Sequence, residues 1–114
     1  MPANNDTGKS KLPEIDRLIH EPARYNIMAL LYVIEKAEFL FVQNQTNMTS
    51  GNLSTHLSKL GAAGYIDIKK RFVSKKPKTF VRLNEKGRKA FEEYREQMKE
   101  LFTNPPAFRE NDSV

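Results

Sequence analysis

The sequence predicts an α+β fold that is mainly helical, and three observations support that prediction. Apolar residues recur at spacings of three and four through the first half of the chain, as they do on the buried face of a helix. Two short alternating segments then flank a strongly basic stretch, which is typical of a β-hairpin. A long amphipathic segment follows, so we expect a long C-terminal helix.

The composition limits the classes of protein to which the chain can belong. Its 114 residues suit one domain with a real core, and the lack of cysteine excludes disulfides, thiolate zinc sites and cysteine nucleophiles. The longest apolar run, between Asn26 and Glu35, is far shorter than the ~18 residues of a membrane span. The polar N-terminus also lacks a signal-peptide pattern, so we expect no membrane partner and a cytoplasmic location.

The chain is expected to form one domain over residues 12–103. The ends, residues 1–11 and 104–114, are predicted to be disordered because neither has the apolar residues of a core. The first long helix is predicted from Pro22 to Ala37, since proline is tolerated in a first helical turn and the apolar residues that follow recur at helical spacing.

A helix-turn-helix is predicted over residues 40–63. Its first helix is expected at residues 40–46, and Asn47 begins a tight polar turn. Thr49 can then cap the second helix, which Gly64 ends in the usual position for glycine after a helix.

The second of these helices has an unusual outer face. Leu53, Leu57 and Leu60 form a stripe that we predict to be buried, whereas the opposite face carries small polar side chains and one lysine. A core helix with a serine-rich surface would show the same pattern. Small polar side chains are also what close approach to base edges requires, because they do not repel phosphates. The residues expected to contact DNA from this helix are Thr49, Ser50, Asn52, Ser54, Thr55, Ser58 and Lys59.

A two-stranded hairpin with a basic tip is predicted over residues 65–83. Segments 65–68 and 80–83 alternate and are rich in strand formers, while residues 69–79 between them are strongly basic. Lysines at a hairpin edge also protect against aggregation. Directly after a helix-turn-helix, however, such a hairpin can act as a wing that contacts phosphates. The wing residues expected to contact DNA are Arg71, Lys75, Lys76 and Lys78.

Charge is distributed unevenly along the chain. Residues 49–89 contain eleven basic and two acidic side chains, a net charge of +9, whereas the remaining residues contain eight basic and twelve acidic ones, a net charge of −4. A surface that only serves solubility would mix the signs. The separation therefore indicates a polyanionic partner.

The last helix is predicted over residues 85–102 and is capped by Asn84. Its apolar stripe extends beyond the part that a domain of this size can cover, so its later residues are expected to meet the N-terminal segment or a second copy of the chain. The residues expected at a dimer interface are Ile15, Leu18, Ile19, Tyr94, Met98, Leu101 and Phe102.

Several motifs are specific enough to indicate a family. They are HEPAR at residues 20–24, TSGNLSTHL at 49–57, KPKT at 76–79 and LNEKGRKAF at 83–91. The segment from Glu38 to Phe91, which contains most of these motifs, resembles the winged helix-turn-helix transcriptional regulators of the MarR and ArsR groups, in particular a small bacterial and archaeal branch. Members of that family often have a glycine near the wing position of Ser74 and an acidic residue at the position of Gly61, which this chain lacks.

The resemblance implies a homodimer that binds a pseudo-palindromic operator in double-stranded DNA. Each recognition helix would occupy one half-site, and binding would usually repress transcription. The sequence does not name the operator, the regulated genes or a small-molecule effector.

The two histidines do not indicate a metal or catalytic site. His56 lies at the edge of the leucine stripe, which favours a structural or phosphate-contacting role over base reading. His20 beside Glu21 supplies too few ligands for a metal, and we predict no metal and no cofactor. Arg24 is interpreted as an ion-pairing or phosphate-contacting residue.

An enzyme is not expected. The serines near His56 are two residues away on the same helix and do not face it, and the sequence places no carboxylate to orient the ring. Two other functions stay open: a winged helix that binds an acidic protein surface, and nonspecific architectural DNA binding. The small polar face of the recognition helix favours neither of them.

Overall fold

The computed structural model describes residues 15–105, which form four helices and a three-stranded antiparallel sheet. The strand order is β1-β3-β2. The predicted fold class, a mainly helical winged helix-turn-helix, is confirmed. The two predicted tails lie almost entirely outside the described residues. In chain order the elements are α1 (Pro22–Ile34), β1 (Lys36–Glu38), α2 (Phe39–Thr46), α3 (Ser50–Ala62), β2 (Ile66–Val73), β3 (Lys76–Leu83) and α4 (Glu85–Thr103).

Helix starts and stops follow local signals in the sequence. The Thr49 hydroxyl accepts a hydrogen bond from the Asn52 backbone N–H at 3.1 Å, as a cap at the start of α3 should. Asn84 does the same for α4 by accepting from the Gly87 backbone N–H at 2.9 Å. Gly64 follows α3 with φ of 82°, a left-handed conformation that glycine adopts without steric cost.

The first helix is shorter than predicted, because α1 ends at Ile34 and not at Ala37. Glu35 takes φ of 69° and terminates the helix, and the three residues after it pair with β3. The stretch from Glu35 to Glu38 consists of good helix formers, so local propensity favours a helix here. Pairing with a strand more than 40 residues away overrides that preference.

The wing also differs from its predicted form. Both strands extend almost to the end of the hairpin, and the turn between them consists only of Ser74 and Lys75. The basic stretch at residues 69–79 is therefore mostly strand and not a loop. Lysine is a weak strand former, but it is tolerated here because the outer part of β2 is exposed.

One apolar core joins all the helices to the base of the sheet. Its buried members include Ile27 and Leu31 of α1, Val81 of β3 and Phe91 of α4. The start of α4 packs so closely on the residue before β2 that a Cβ at Gly87 would lie 2.1 Å from the Tyr65 carbonyl oxygen. Only glycine fits at that position, and this contact fixes the base of the wing against α4.

Candidate nucleic-acid interface

One side of α3 is packed against the core. Leu53, Leu57 and Leu60 are between 0% and 2% exposed, so the predicted buried stripe of the helix is confirmed. Every residue predicted to contact DNA from this helix is exposed on its remaining surface. That surface is uncharged except for Lys59 at its C-terminal end.

Two hydroxyls on this surface are bonded to the helix itself. The Thr55 hydroxyl donates to the Gly51 carbonyl oxygen at 3.0 Å, and the Thr49 hydroxyl accepts the capping bond described above. A hydroxyl oxygen has two lone pairs, so Thr55 keeps its full capacity to accept from an external donor. Its orientation is thus fixed before any ligand arrives.

The wing presents two kinds of basic residue. Arg71 and Lys78 stand directly opposite each other on β2 and β3, and each has a partner on the same sheet face. The Arg71 guanidinium lies 5.4 Å from the centre of the Phe80 ring, and Lys78 forms an ion pair with Glu38 at 3.6 Å. These contacts offset the repulsion expected between like charges on neighbouring strands.

Lys75 and Lys76 form the tip of the wing, and both are exposed. Within residues 15–105 neither forms an ion pair. Ser74 and Lys75 both have positive φ, 52° and 68°, the conformation for which two-residue hairpin turns usually carry Asn or Gly. The missing wing glycine noted in the sequence therefore falls where the backbone most favours one.

The site residues predicted from the sequence do not include Lys70 and Phe72. Side chains alternate along a strand, so both lie on the same face of β2 as Ile66 and Ile68. Ile68 packs near Gly61, which places this face on the side of α3. Phe72 is 79% exposed. The alternation that begins at the buried Ile66 is the signal that could have identified both residues.

The segment before α1 is attached to the base of the wing through Asp16. One oxygen of this carboxylate accepts from the backbone N–H groups of Leu18 and Ile19, and the other accepts from the Tyr65 hydroxyl. Burial and the neighbouring Asp16 carboxylate raise the pKa of Tyr65 to about 12. Tyr65 therefore stays protonated, and stays a donor to Asp16, across the neutral range.

The two histidines make different contacts. His56 on α3 is half-buried, and its Nδ1 lies 3.1 Å from an Arg24 guanidinium nitrogen. His20 Nδ1 lies 2.8 Å from the Tyr94 hydroxyl, whose pKa is raised by burial. The two rings thus have separate partners, and within residues 15–105 the structure brings no three His, Asp or Glu side chains into a metal-binding group.

The residues predicted at a dimer interface fall into two groups. Ile19 and Tyr94 are buried within the chain, so they cannot contact a second copy directly and can only pack behind residues that do. Phe102, by contrast, is 90% exposed. The half-buried residues of the set are Ile15 and Leu18 before α1, and Met98 and Leu101 in α4.

Comparison with known proteins identifies the family. The family model described as a winged helix DNA-binding domain matches residues 23–102, which is most of the chain. The chain belongs to this family. The match includes α2 and α3, both strands of the wing and nearly all of α4. No helix within residues 15–105 of this winged helix chain is long and apolar enough to cross a membrane.

Individual relatives agree with that assignment. An uncharacterized protein of Methanocaldococcus jannaschii is 35% identical over 88 residues, which cover 77% of this chain and 96% of that protein. A transcriptional regulator homologue from Pyrococcus horikoshii has the same fold, with a TM-score of 0.74 at 24% identity over 80% of this chain and 90% of that one. A MarR family transcriptional regulator from Silicibacter pomeroyi has a TM-score of 0.58 at 17% identity, over 82% and 66% of the two chains. The winged helix domain is thus similar to MarR-type regulators, as its motifs indicate.

Proposed function

We propose that this chain is a sequence-specific regulator that binds double-stranded DNA in the cytoplasm as a homodimer and represses transcription. The observation that carries the proposal is the surface of α3. It combines three buried leucines on one side with exposed, uncharged hydrogen-bonding side chains on the other, and it lies beside a basic hairpin.

In this proposal α3 enters the major groove and the wing contacts the neighbouring phosphates. Side chains such as Asn52 and Thr55 read base edges, because both are short and exposed. The Asn52 amide can donate or accept, and the Thr55 hydroxyl can accept. Arg71, Lys75, Lys76 and Lys78 supply attraction that is independent of sequence. A two-fold dimer places its two recognition helices on half-sites about 10 to 10.5 base pairs apart, or a multiple of that distance.

Selection of bound sequences from a random duplex library tests the specificity directly. The winning sequence is then titrated against a scrambled duplex of the same composition at two salt concentrations. We expect an enriched palindrome that binds about a thousandfold or more tightly than the scrambled duplex. Binding without enrichment would indicate architectural DNA binding, and no binding at either salt concentration would favour a protein partner.

Repression is tested by transcription from a promoter that carries the selected sequence. A bound dimer that overlaps the promoter excludes polymerase, so we expect less transcript as protein is added. The scrambled duplex in the same position is the control. Increased transcript would reverse the assigned sign of regulation while leaving the DNA-binding proposal intact.

The dimer is tested with a matched pair of charge substitutions. Phe102→Asp places a charge on the exposed apolar end of α4, whereas Val33→Asp does so at an apolar position on α1 that is 80% exposed. We expect sedimentation of the first variant at the 13.2 kDa of one chain and of the second at twice that mass. If Phe102→Asp stays dimeric, the interface lies elsewhere.

A further inference from the structure

Arg24 connects three parts of the molecule through three hydrogen bonds. Its backbone N–H donates to the Glu21 carboxylate at 2.8 Å, which caps α1. Its Nε donates to the Leu18 carbonyl oxygen at 2.6 Å, and its Nη1 lies 3.1 Å from His56 Nδ1. The half-buried guanidinium is therefore held between the N-terminal segment and α3.

These contacts determine which nitrogen of His56 carries the proton. A guanidinium group has only donors, so Nδ1 of His56 must accept through its lone pair. The proton of the neutral ring then resides on Nε2. Arg24 thus leaves Nε2 of His56 as an N–H donor.

The position of His56 on α3 indicates what this donor meets. At about 100° per residue, His56 lies roughly 65° from the centre of the leucine stripe, whereas Thr55 lies roughly 165° from it. When a helix lies in the major groove, a side chain opposite its buried stripe faces the base edges. A side chain at the border of the stripe faces the wall of the groove, where the phosphates are. Lys59, one turn further along the helix, is exposed beside it.

We propose that Arg24 is a positioning residue of the DNA interface, which holds His56 as an Nε2–H donor to a phosphate oxygen. The inference rests on the proposed DNA-binding function. A donor whose tautomer and orientation are fixed in the free protein loses less conformational freedom on binding than a mobile side chain does. Contacts of this kind fix the register of the helix on the duplex.

The pairing of Arg24 with His56 can be tested without DNA. The chain has two histidines, so ¹⁵N–¹H spectra of the imidazole rings at alkaline pH contain two neutral rings, and His20→Gln identifies the signals of His56. We expect His56 to carry its proton on Nε2. Arg24→Met should allow a mixture of tautomers, whereas Arg17→Met, which removes the same charge from an exposed neighbour, should not. A proton on Nδ1 in the unmodified chain overturns the inference.

The contact with phosphate is tested by two substitutions of His56 that separate its two nitrogens. Asparagine keeps an acceptor near the position of Nδ1 but has nothing at Nε2, whereas glutamine can place an N–H₂ donor near Nε2. We expect His56→Asn to weaken binding to the selected DNA about tenfold or more, as expected when a hydrogen bond to a charged group is removed, and His56→Gln to weaken it less. Equal losses for both variants would overturn the assigned donor.

The role of Arg24 in binding is tested by a double-mutant cycle. Arg24→Met should weaken binding, but by less than His56→Asn does, because a mixture of tautomers keeps the Nε2–H donor in part of the molecules. The double variant should be no weaker than His56→Asn alone, because both changes act on the same donor. Arg17→Met is again the control for charge. Additive losses would mean that Arg24 acts on DNA independently of His56. Failure of the unmodified chain to bind DNA would overturn the proposed function, whereas the spectra would still report the pairing.

Discussion

The recognition helix and the wing lie side by side but are built in opposite ways. Three buried leucines fix α3, and its exposed surface carries almost no charge. In β2 only Ile66 is buried, and the exposed remainder of that strand includes three successive basic residues, Lys69, Lys70 and Arg71. This difference suits the two proposed roles: base reading needs fixed geometry, whereas attraction to phosphates acts over a distance and tolerates a loosely supported element.

The largest expected effect separates the two regions by stability. Leu57→Ala removes a side chain that is 2% exposed and should lower the free energy of unfolding by about 2–5 kcal/mol. Phe72→Ala removes a larger side chain from the wing, but it is 79% exposed there and should cost less than about 1 kcal/mol. Urea unfolding of both variants measures the difference. Similar losses of unfolding free energy for the two variants would contradict the view that the core supports α3 more strongly than it supports the wing.

The next effect concerns specificity. Replacing Asn52 or Thr55 by Ala should cost roughly 1–3 kcal/mol of binding to the selected DNA for each hydrogen bond to a base that the substitution removes, and much less with the scrambled duplex. Asn26→Ala, an exposed asparagine on α1, serves as the control. The measurement is a titration of both duplexes. An equal loss on both would remove the assignment of base reading to α3.

A smaller effect is expected from the charge at the wing tip. Lys75→Ala together with Lys76→Ala should weaken binding to all sequences alike and reduce the magnitude of the salt slope by about one unit for each phosphate that is no longer neutralised. Removing two exposed lysines of α4, Lys89 and Lys99, controls for net charge. Titrations over a range of salt concentrations measure the slope. An unchanged slope would mean that the wing tip does not touch DNA.

The smallest expected effect tests how the wing turn is built. Lys75 has φ of 68°, which is unfavourable for any side chain but not for glycine. Lys75→Gly should therefore be more stable than Lys75→Ala by about 0.5–1 kcal/mol, although both lose the same charge. Thermal unfolding monitored by circular dichroism compares the two variants. Equal stability would indicate that the turn relaxes without cost.

The parts of the fold that depend on neighbouring residues were predictable from the sequence. The caps at Thr49 and Asn84 and the glycine after α3 are local signals, and the structure confirms them. The strand from Lys36 to Glu38 was missed because its residues favour helix and its partner lies far along the chain. Helical periodicity correctly predicted which side of α3 is exposed, and its contact with DNA stays a prediction.

The candidate site shows the same division. Alternation along β2 contained enough information to add Lys70 and Phe72 to the wing surface, since both follow the buried Ile66 at even spacing. The contact between Arg24 and His56 could not be predicted, because it joins residues 32 positions apart through side chains that no local pattern relates. Contacts of this kind depend on how the helices pack, which the sequence specifies only through the whole core.

The short strand β1 has a mechanical consequence for the wing. It pairs with β3 only from Phe80 to Arg82, so the hairpin is clamped on one edge at its base. The four residues of β3 beyond this clamp extend about 13 Å before the turn, and their backbone pairs with β2 alone. We therefore expect the wing to be stiff near the core and more flexible at its tip. In the proposed complex with DNA, bending at the tip would let the wing follow phosphates of different spacing without moving α3.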